Sequence, residues 1–216
     1  VFAKFSLYVL GSFLKFLGLL MLVPVICSVL YGENDLHVFL VSALITTSAG
    51  FVLELVTKPK NEIKDIDRRA GFLIASLCWL TAGFFGTLPY LIAGVFSNPA
   101  DAFFESVAGF TTTGASVISN PETLSHGILF WRNFSQWLGG MGIIVLAIAI
   151  LPRLSVGGMQ LMGLEAPGPT TEKLTPKIAQ TAKNLWAVYI FLSIVLVILL
   201  LAGGMPFYDS IVHSFT

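Results

Sequence analysis

The chain contains 216 residues, of which 56% are hydrophobic and 11% are charged, and its formal net charge is zero. Because a soluble domain is about 25% charged, this composition excludes an ordinary soluble protein, and the zero net charge argues against a nucleic-acid partner. The two cysteines, Cys27 and Cys78, lie inside apolar stretches at no spacing typical of metal or redox motifs. Most of the chain must therefore lie out of water.

Five apolar stretches reach the length of about 20 residues that an α-helix needs to cross a bilayer. They cover approximately residues 13–31, 37–57, 71–96, 128–151 and 182–201. Pro24 lies inside the first stretch and predicts a kink, which neighbouring helices in a membrane can tolerate. The pattern predicts an all-α integral membrane protein with five spanning helices in this sequence.

Basic residues are separated from acidic ones along these stretches. The segments 58–69 and 152–183 carry nine of the twelve Lys and Arg residues, and Lys4 and Lys15 fall on the same side of the membrane. The opposite loops hold six of the twelve acidic residues. Because cytoplasmic loops are enriched in Lys and Arg, we expect a multi-pass protein of the cell inner (plasma) membrane with its N-terminus in the cytoplasm.

The segment between the third and fourth predicted helices begins and ends on the outer side in this topology. Its stretch DAFFESVAGF is too apolar for an exposed loop and too short to span. We therefore expect a re-entrant half-helix that enters the membrane and returns. Asn98 can cap it, Pro99 suits the first helical position, and Asp101 in the first turn is favoured by the helix dipole. The half-helix should end near Phe110.

The polar stretch TTTGAS that follows predicts the return leg. Irregular backbone at membrane depth persists only where it is buried in protein or lines a water-filled cavity. Backbone carbonyl oxygens released from regular structure can replace the hydration shell of a cation. Gly114 permits a positive φ, threonine hydroxyls add ligands or fasten the loop, and the partly negative end of the half-helix favours a cation. The sequence predicts an ion-binding selectivity filter formed by Thr111, Thr112, Thr113 and Gly114.

A second copy of this module begins near the end of the sequence. The stretch DSIVHSFT matches DAFFESVA in the spacing of Asp and Ser, and each follows an apolar helix and a short turn. Because one return leg cannot surround an ion, we expect further modules from a longer chain or from other chains. The predicted organisation is two leading transmembrane helices with a cytoplasmic loop (1–69), a first pore module (70–152), a cytoplasmic linker (153–181) and the start of a second module (182–216).

Over essentially its whole length the sequence resembles the membrane subunit of the bacterial Trk and Ktr potassium uptake systems. The matching stretches are DAFFESVAGFTTTGASV, QWLGGMGIIVLAIAILP, GGMQL and EAPGPTTEKLTPKIAQTAKNLW. The resemblance implies two leading helices and then four helix–re-entrant pore helix–helix modules around one potassium-channel-like pathway. It also implies potassium as the transported ion, bound at Thr111 and Thr112, and no covalently bound cofactor.

The resemblance implies partners as well. These are a second copy in a homodimer, membrane lipid, and a cytoplasmic nucleotide-binding regulatory subunit of the TrkA/KtrA type. The turn-rich linker EAPGPT, residues 165–170, would then belong to the surface that meets this subunit.

The filter contains one glycine and no tyrosine, unlike the potassium-channel pattern TVGYG, which predicts weaker discrimination among monovalent cations. A sodium- or proton-coupled secondary cation transporter with broken helices is the alternative interpretation. No nucleophile–base pair or metal set falls at membrane depth in the sequence, so we expect no enzymatic activity.

Three charged residues are predicted to support the filter or line its outer mouth. Glu105 is either a functional acid within the membrane or a buried strut that hydrogen-bonds the filter backbone. Asp101 is favoured as a helix-start residue over an ion ligand, and Arg132 as a partner of Glu122 or Asp101 over a gating residue. The glycines of LGGMG, residues 138–142, are favoured as a close-packing site over a hinge.

Overall fold

A computed structural model describes residues 2–58, 68–154 and 174–216, with side chains at residues 4–58, 71–142 and 180–216. Over these ranges the chain is α-helical, with no strand. The helices are α1 (Phe2–Leu20), α2 (Val25–Leu30), α3 (Leu36–Thr57), α4 (Arg68–Gly86), α5 (Leu88–Ile92), α6 (Pro99–Phe110), α7 (His126–Leu154), α8 (Leu174–Ala202) and α9 (Phe207–Ser214). The loop 59–67 and most of the predicted linker, 155–173, lie outside the described residues.

The chain divides into two compact units, one formed by the residues up to Gly139 together with Phe215 and Thr216, and one running from Gly140 to Ser214. In the first unit α1 packs against α3 and α4, and α4 packs against α6. In the second unit α9 packs against α8. The predicted filter and the helices around it belong to the first unit.

All five predicted spanning segments are helical. Four described segments are long and apolar enough to cross a membrane: Lys4–Leu30, Leu36–Thr57, Gly71–Ile92 and Gln180–Ala202. The remaining predicted segment is α7, which has 29 residues. At 1.5 Å per residue α7 extends about 44 Å, more than the ~30 Å hydrocarbon core of a bilayer.

The first spanning segment begins earlier than predicted, at Phe2. Lys15 does not interrupt α1, because its Nζ lies 2.6 Å from Oε2 of Glu54 on α3 and the charge is paired. The α-helix breaks at residues 21–24, before α2, as Pro24 predicts. An intramembrane lysine is therefore compatible with a continuous helix here.

The third predicted helix is divided into α4 and α5. Pro89 has no N–H to donate, so backbone carbonyls near the break need other donors. The Thr87 hydroxyl donates to the Gly83 carbonyl at 2.7 Å, and Trp131 Nε1 on α7 donates to the Gly86 carbonyl at 3.1 Å. The break is thus stabilised by a side chain from α7.

The turn between α2 and α3 is bonded to the start of α7. Ser125 Oγ donates to Oδ2 of Asp35 at 2.6 Å, and His126 Nδ1 lies 2.8 Å from Oε1 of Glu33. Gly127 fits closely here, because a Cβ at this residue would lie 2.5 Å from Asp35 Oδ2. These contacts attach the turn between α2 and α3 to the start of α7.

The helices α5 and α8 end in the same way. Each is followed by a glycine with positive φ, 67° at Gly94 and 91° at Gly204, and the N–H groups of that glycine and the next residue bond back to carbonyls of the helix. A half-helix begins after six residues in one case and after four in the other. Asp101 and Asp209 lie in the first turns of these half-helices. The local geometry supports the predicted repeat.

Candidate functional site

The half-helix α6 begins as the sequence predicts. Asn98 Oδ1 accepts a hydrogen bond from the Ala100 N–H at 3.1 Å, a proline occupies the first position, and Asp101 lies in the first turn. A rise of 1.5 Å per residue puts Asp101 about 15 Å along the helix from Thr111. Asp101 therefore marks the start of the helix and cannot contact an ion held at the far end.

The C-terminus of α6 forms a left-handed C-cap motif, with a threonine at the left-handed position. The Thr112 N–H donates to the Gly109 carbonyl at 2.9 Å, and the Thr113 N–H donates to the Ala108 carbonyl at 3.0 Å. The φ of Thr112 is 54°, the one positive value among the described non-glycine residues. Three other helices, α2, α5 and α8, end in the same motif with a glycine at this position: Gly32, Gly94 and Gly204. A β-branched residue in this conformation is strained by about 1–2 kcal/mol.

Two threonine hydroxyls of the return leg are bonded within the protein. Thr111 Oγ1 donates to the Val107 carbonyl at 2.7 Å and lies 2.7 Å from Thr113 Oγ1. Because the Thr111 hydroxyl proton is directed to Val107, Thr113 donates in the second bond. These hydroxyls fasten the return leg to the half-helix, which is one of their two predicted roles.

The predicted positive φ at Gly114 is present, at 73°. A Cβ at this residue would meet nothing closer than Gln136 Nε2 at 3.9 Å, so the glycine is needed for backbone conformation rather than for space. Residues 111–117 are exposed. No described residue donates a hydrogen bond to the carbonyl oxygens of residues 111–114. Four successive backbone acceptors are thus available for a ligand.

Glu105 lies at the middle of α6 and its side chain is 2% exposed. Its Oε1 lies 2.8 Å from Arg132 Nε and 2.9 Å from Ser116 Oγ. Its Oε2 lies 3.0 Å from both Ser116 Oγ and the Val117 backbone nitrogen. Both carboxylate oxygens accept hydrogen bonds from protein donors, a geometry that favours the interpretation of Glu105 as a strut.

The predicted pairing of Arg132 with Glu122 or Asp101 is wrong. Arg132 binds Glu105 instead, with its own side chain 18% exposed, whereas Glu122 is exposed on a 3₁₀ turn. Spacing along the sequence could not reveal this partner, because it depends on which face of α7 packs against α6. A carboxylate buried to this degree requires a charged partner, and Arg132 provides one.

Small residues bring α7 against α6. A Cβ on Gly109 would lie 2.7 Å from Ser135 Oγ, and a Cβ on Gly139 would lie 2.7 Å from the carbonyl carbon of Phe110. Backbone atoms cannot rotate away as a side chain can, so Gly139 is required for this approach. The close-packing interpretation of LGGMG is confirmed at Gly139.

Sequence reasoning did not assign roles to Trp131 and Ser116. Trp131 is completely buried and bonds the carbonyl at the α4 break. Its position beside Arg132, the one Lys or Arg residue that the predicted topology puts on the outer side, was the available signal. Ser116 belongs to the predicted return leg, but nothing in the sequence indicates that its hydroxyl meets Glu105.

The family model for TrkH, described as a cation transport protein, matches residues 36–215 of the chain. The chain belongs to the TrkH family. It is a family of transporters rather than enzymes. As the sequence predicts, the chain is thus a multi-pass membrane protein with helix–re-entrant helix–helix architecture.

Individual TrkH proteins are similar to almost the whole chain. The Trk system potassium uptake protein TrkH of Halomonas elongata is 43% identical over 215 residues, which is 99% of this chain and 44% of the relative. TrkH of Escherichia coli strain K12 is 42% identical over 201 residues, 90% of this chain and 40% of the relative. The crystal structure of the potassium transporter TrkH from Vibrio parahaemolyticus has a TM-score of 0.84 at 37% identity, covering 98% of this chain and 42% of that one. The chain spans less than half the length of these relatives.

Proposed function

We propose that this TrkH-family chain carries potassium across the plasma membrane as the ion-translocating subunit of a Trk-type uptake system. In this proposal cations pass the backbone carbonyls of residues 111–114, with Thr111 and Thr112 as potassium ligands. The observation that carries the proposal is the set of four carbonyl oxygens that no described residue satisfies. The relatives in Halomonas elongata and Escherichia coli are named as potassium uptake proteins, which supports the choice of ion.

Residues 111–114 are exposed, and their carbonyl oxygens accept no hydrogen bond from a described residue. Irregular backbone of this kind persists at membrane depth only where it is buried in protein or lines a water-filled cavity, and a dehydrated cation can use such acceptors in place of water. The C-terminal end of α6 carries partial negative charge and adjoins the return leg. Backbone carbonyls are therefore the ligands in this proposal. The hydroxyls of Thr111 and Thr113 stabilise the return leg through their hydrogen bonds to each other and to the Val107 carbonyl.

The test compares two glycines that share a backbone conformation. Gly114→Ser and Gly94→Ser each add a side chain at a φ near +70°, 73° and 67° respectively, at a strain of about 1–3 kcal/mol. Neither Cβ would meet a heavy atom within 3.8 Å. Rubidium uptake, sodium competition and membrane abundance are measured for the full-length protein in cells lacking other potassium uptake.

The two variants should differ in ion preference and not in abundance. We expect Gly114→Ser to reduce the preference for rubidium over sodium by roughly fivefold or more, the factor that corresponds to about 1 kcal/mol. Gly94→Ser should keep the native preference. Native uptake and native preference in Gly114→Ser would contradict the assignment of the return leg.

The partner proposal follows the family resemblance. We infer a homodimer from the resemblance alone. We also infer a cytoplasmic nucleotide-binding regulatory subunit of the TrkA type, and the words "Trk system" in the names of the relatives support a multi-subunit system. Mass measurement of the full-length protein in detergent tests the dimer, for which twice the chain mass is expected. Co-purification with the cell's own TrkA-type subunit tests the second partner, and substitution of residues 165–170 should reduce it.

A further inference from the structure

We propose that Glu105 is a positioning residue that sets the cation preference of the return leg by tying it to α7 through Arg132. The inference rests on the proposed function, because it names the group that holds the proposed filter in shape. Glu105 touches no ion in this account. It acts through the backbone two to three residues beyond Gly114.

Glu105 links three elements through one carboxylate. It belongs to α6, it binds the Arg132 guanidinium of α7, and it binds Ser116 and Val117 of the return leg. The Ser116 hydroxyl also accepts a hydrogen bond from the Ile118 N–H at 3.1 Å. Two consecutive backbone N–H groups of the return leg, one directly and one through Ser116, are therefore fixed by the Glu105 side chain.

The charges around Glu105 favour a positioning role over a direct role in ion binding. Arg132 neutralises the carboxylate at 2.8 Å, so the pair adds little net negative potential to the pathway. Both oxygens already accept hydrogen bonds from protein donors. A cation ligand would need at least one oxygen directed to the ion, whereas a strut needs both oxygens directed to protein.

The donor chemistry explains why a carboxylate is required. The Nε–H of Arg132 and the N–H of Val117 are donors that cannot accept, and they bind different oxygens of Glu105. Glutamine has one acceptor oxygen and one donor amide group. Glu105→Gln therefore loses either the bond to α7 or the bond to the return leg, although its size is nearly unchanged.

The experiment measures rubidium uptake against sodium competition for the full-length protein carrying Glu105→Gln, Ser116→Ala or Glu122→Gln. We expect Glu105→Gln to reduce the rubidium preference by roughly tenfold, the size expected from one charge-assisted hydrogen bond. Ser116→Ala removes one bond to the return leg but retains the ion pair, so a reduction of roughly threefold is expected. Glu122→Gln removes one negative charge from an exposed position on the same loop and should keep the native preference.

Membrane abundance and maximal uptake are recorded with each variant, because a residue with a purely structural role would lower both and leave the preference unchanged. That result for Glu105→Gln would overturn the inference. If Glu105→Gln fails to reach the membrane, the preference of Ser116→Ala decides, and a native value there rejects the proposal. If Gly114→Ser changes the rubidium preference but Glu105→Gln and Ser116→Ala do not, the positioning role of Glu105 is wrong and the proposed filter stands. If Gly114→Ser, Glu105→Gln and Ser116→Ala all keep the native preference, the proposed filter is wrong as well.

Discussion

Replacing Thr112 by glycine should relieve strain and reduce ion discrimination at the same time. Thr112 has φ 54° at the left-handed position that three other helices in the chain fill with glycine. The conformation costs threonine about 1–2 kcal/mol, while glycine loses about 0.5–1 kcal/mol more backbone entropy on folding. The difference predicts that Thr112→Gly stabilises the folded protein by up to about 1.5 kcal/mol.

The same change should reduce the preference for rubidium over sodium. Glycine samples more backbone conformations, so the carbonyl oxygens of residues 111–113 would be held less firmly around a cation. Thermal unfolding of the purified full-length protein and rubidium uptake with sodium competition measure the two effects.

The reverse substitution, Gly94→Thr, is the matched control, because it introduces threonine into the same motif away from the return leg. It should destabilise the protein and keep the native preference. A less stable Thr112→Gly would refute the strain argument. A more stable Thr112→Gly with native preference would refute the link between this conformation and selectivity.

Other positions give further tests. Gly139→Ala should destabilise the protein by about 1–3 kcal/mol, since its Cβ would meet backbone atoms of α6; Gly71→Ala, with open space around it, is the control in thermal unfolding. Gly127→Ala should destabilise by a smaller amount, because its Cβ would meet side-chain atoms of Asp35 and Ser28, which can shift as backbone atoms cannot, and an unchanged unfolding temperature would contradict this. Cysteines placed at Asn34 and Asn61 should be labelled from opposite sides of the membrane, and equal labelling from outside would reject the predicted topology.

Local signals in the sequence were sufficient for the half-helix and its return leg. Asn98, Pro99 and Asp101 identify the start of α6 because capping chemistry depends on a few neighbouring residues. The positive φ of Gly114 was predictable for the same reason, since glycine is the residue that adopts it without strain. Both expectations agree with the structure.

Features that depend on packing between distant segments were not predictable. The predicted partner of Arg132 was wrong because the face of α7 that packs against α6 is set by Gly139 and its neighbours, not by the spacing of charges along the sequence. The left-handed conformation of Thr112 was not predictable, because the backbone preference of threonine disfavours this region. The extension of α1 through Lys15 depends on Glu54, which lies 39 residues away.

The most direct test of the account is the position of rubidium in crystals of the full-length protein, measured by its anomalous scattering. We predict an anomalous peak bounded by the backbone carbonyl oxygens of Thr111, Thr112 and Thr113, and a weaker peak in Gly114→Ser at the same rubidium concentration. Rubidium bound elsewhere along the pathway, with the return leg empty at concentrations that saturate uptake, would contradict the claim that these carbonyls coordinate the transported ion.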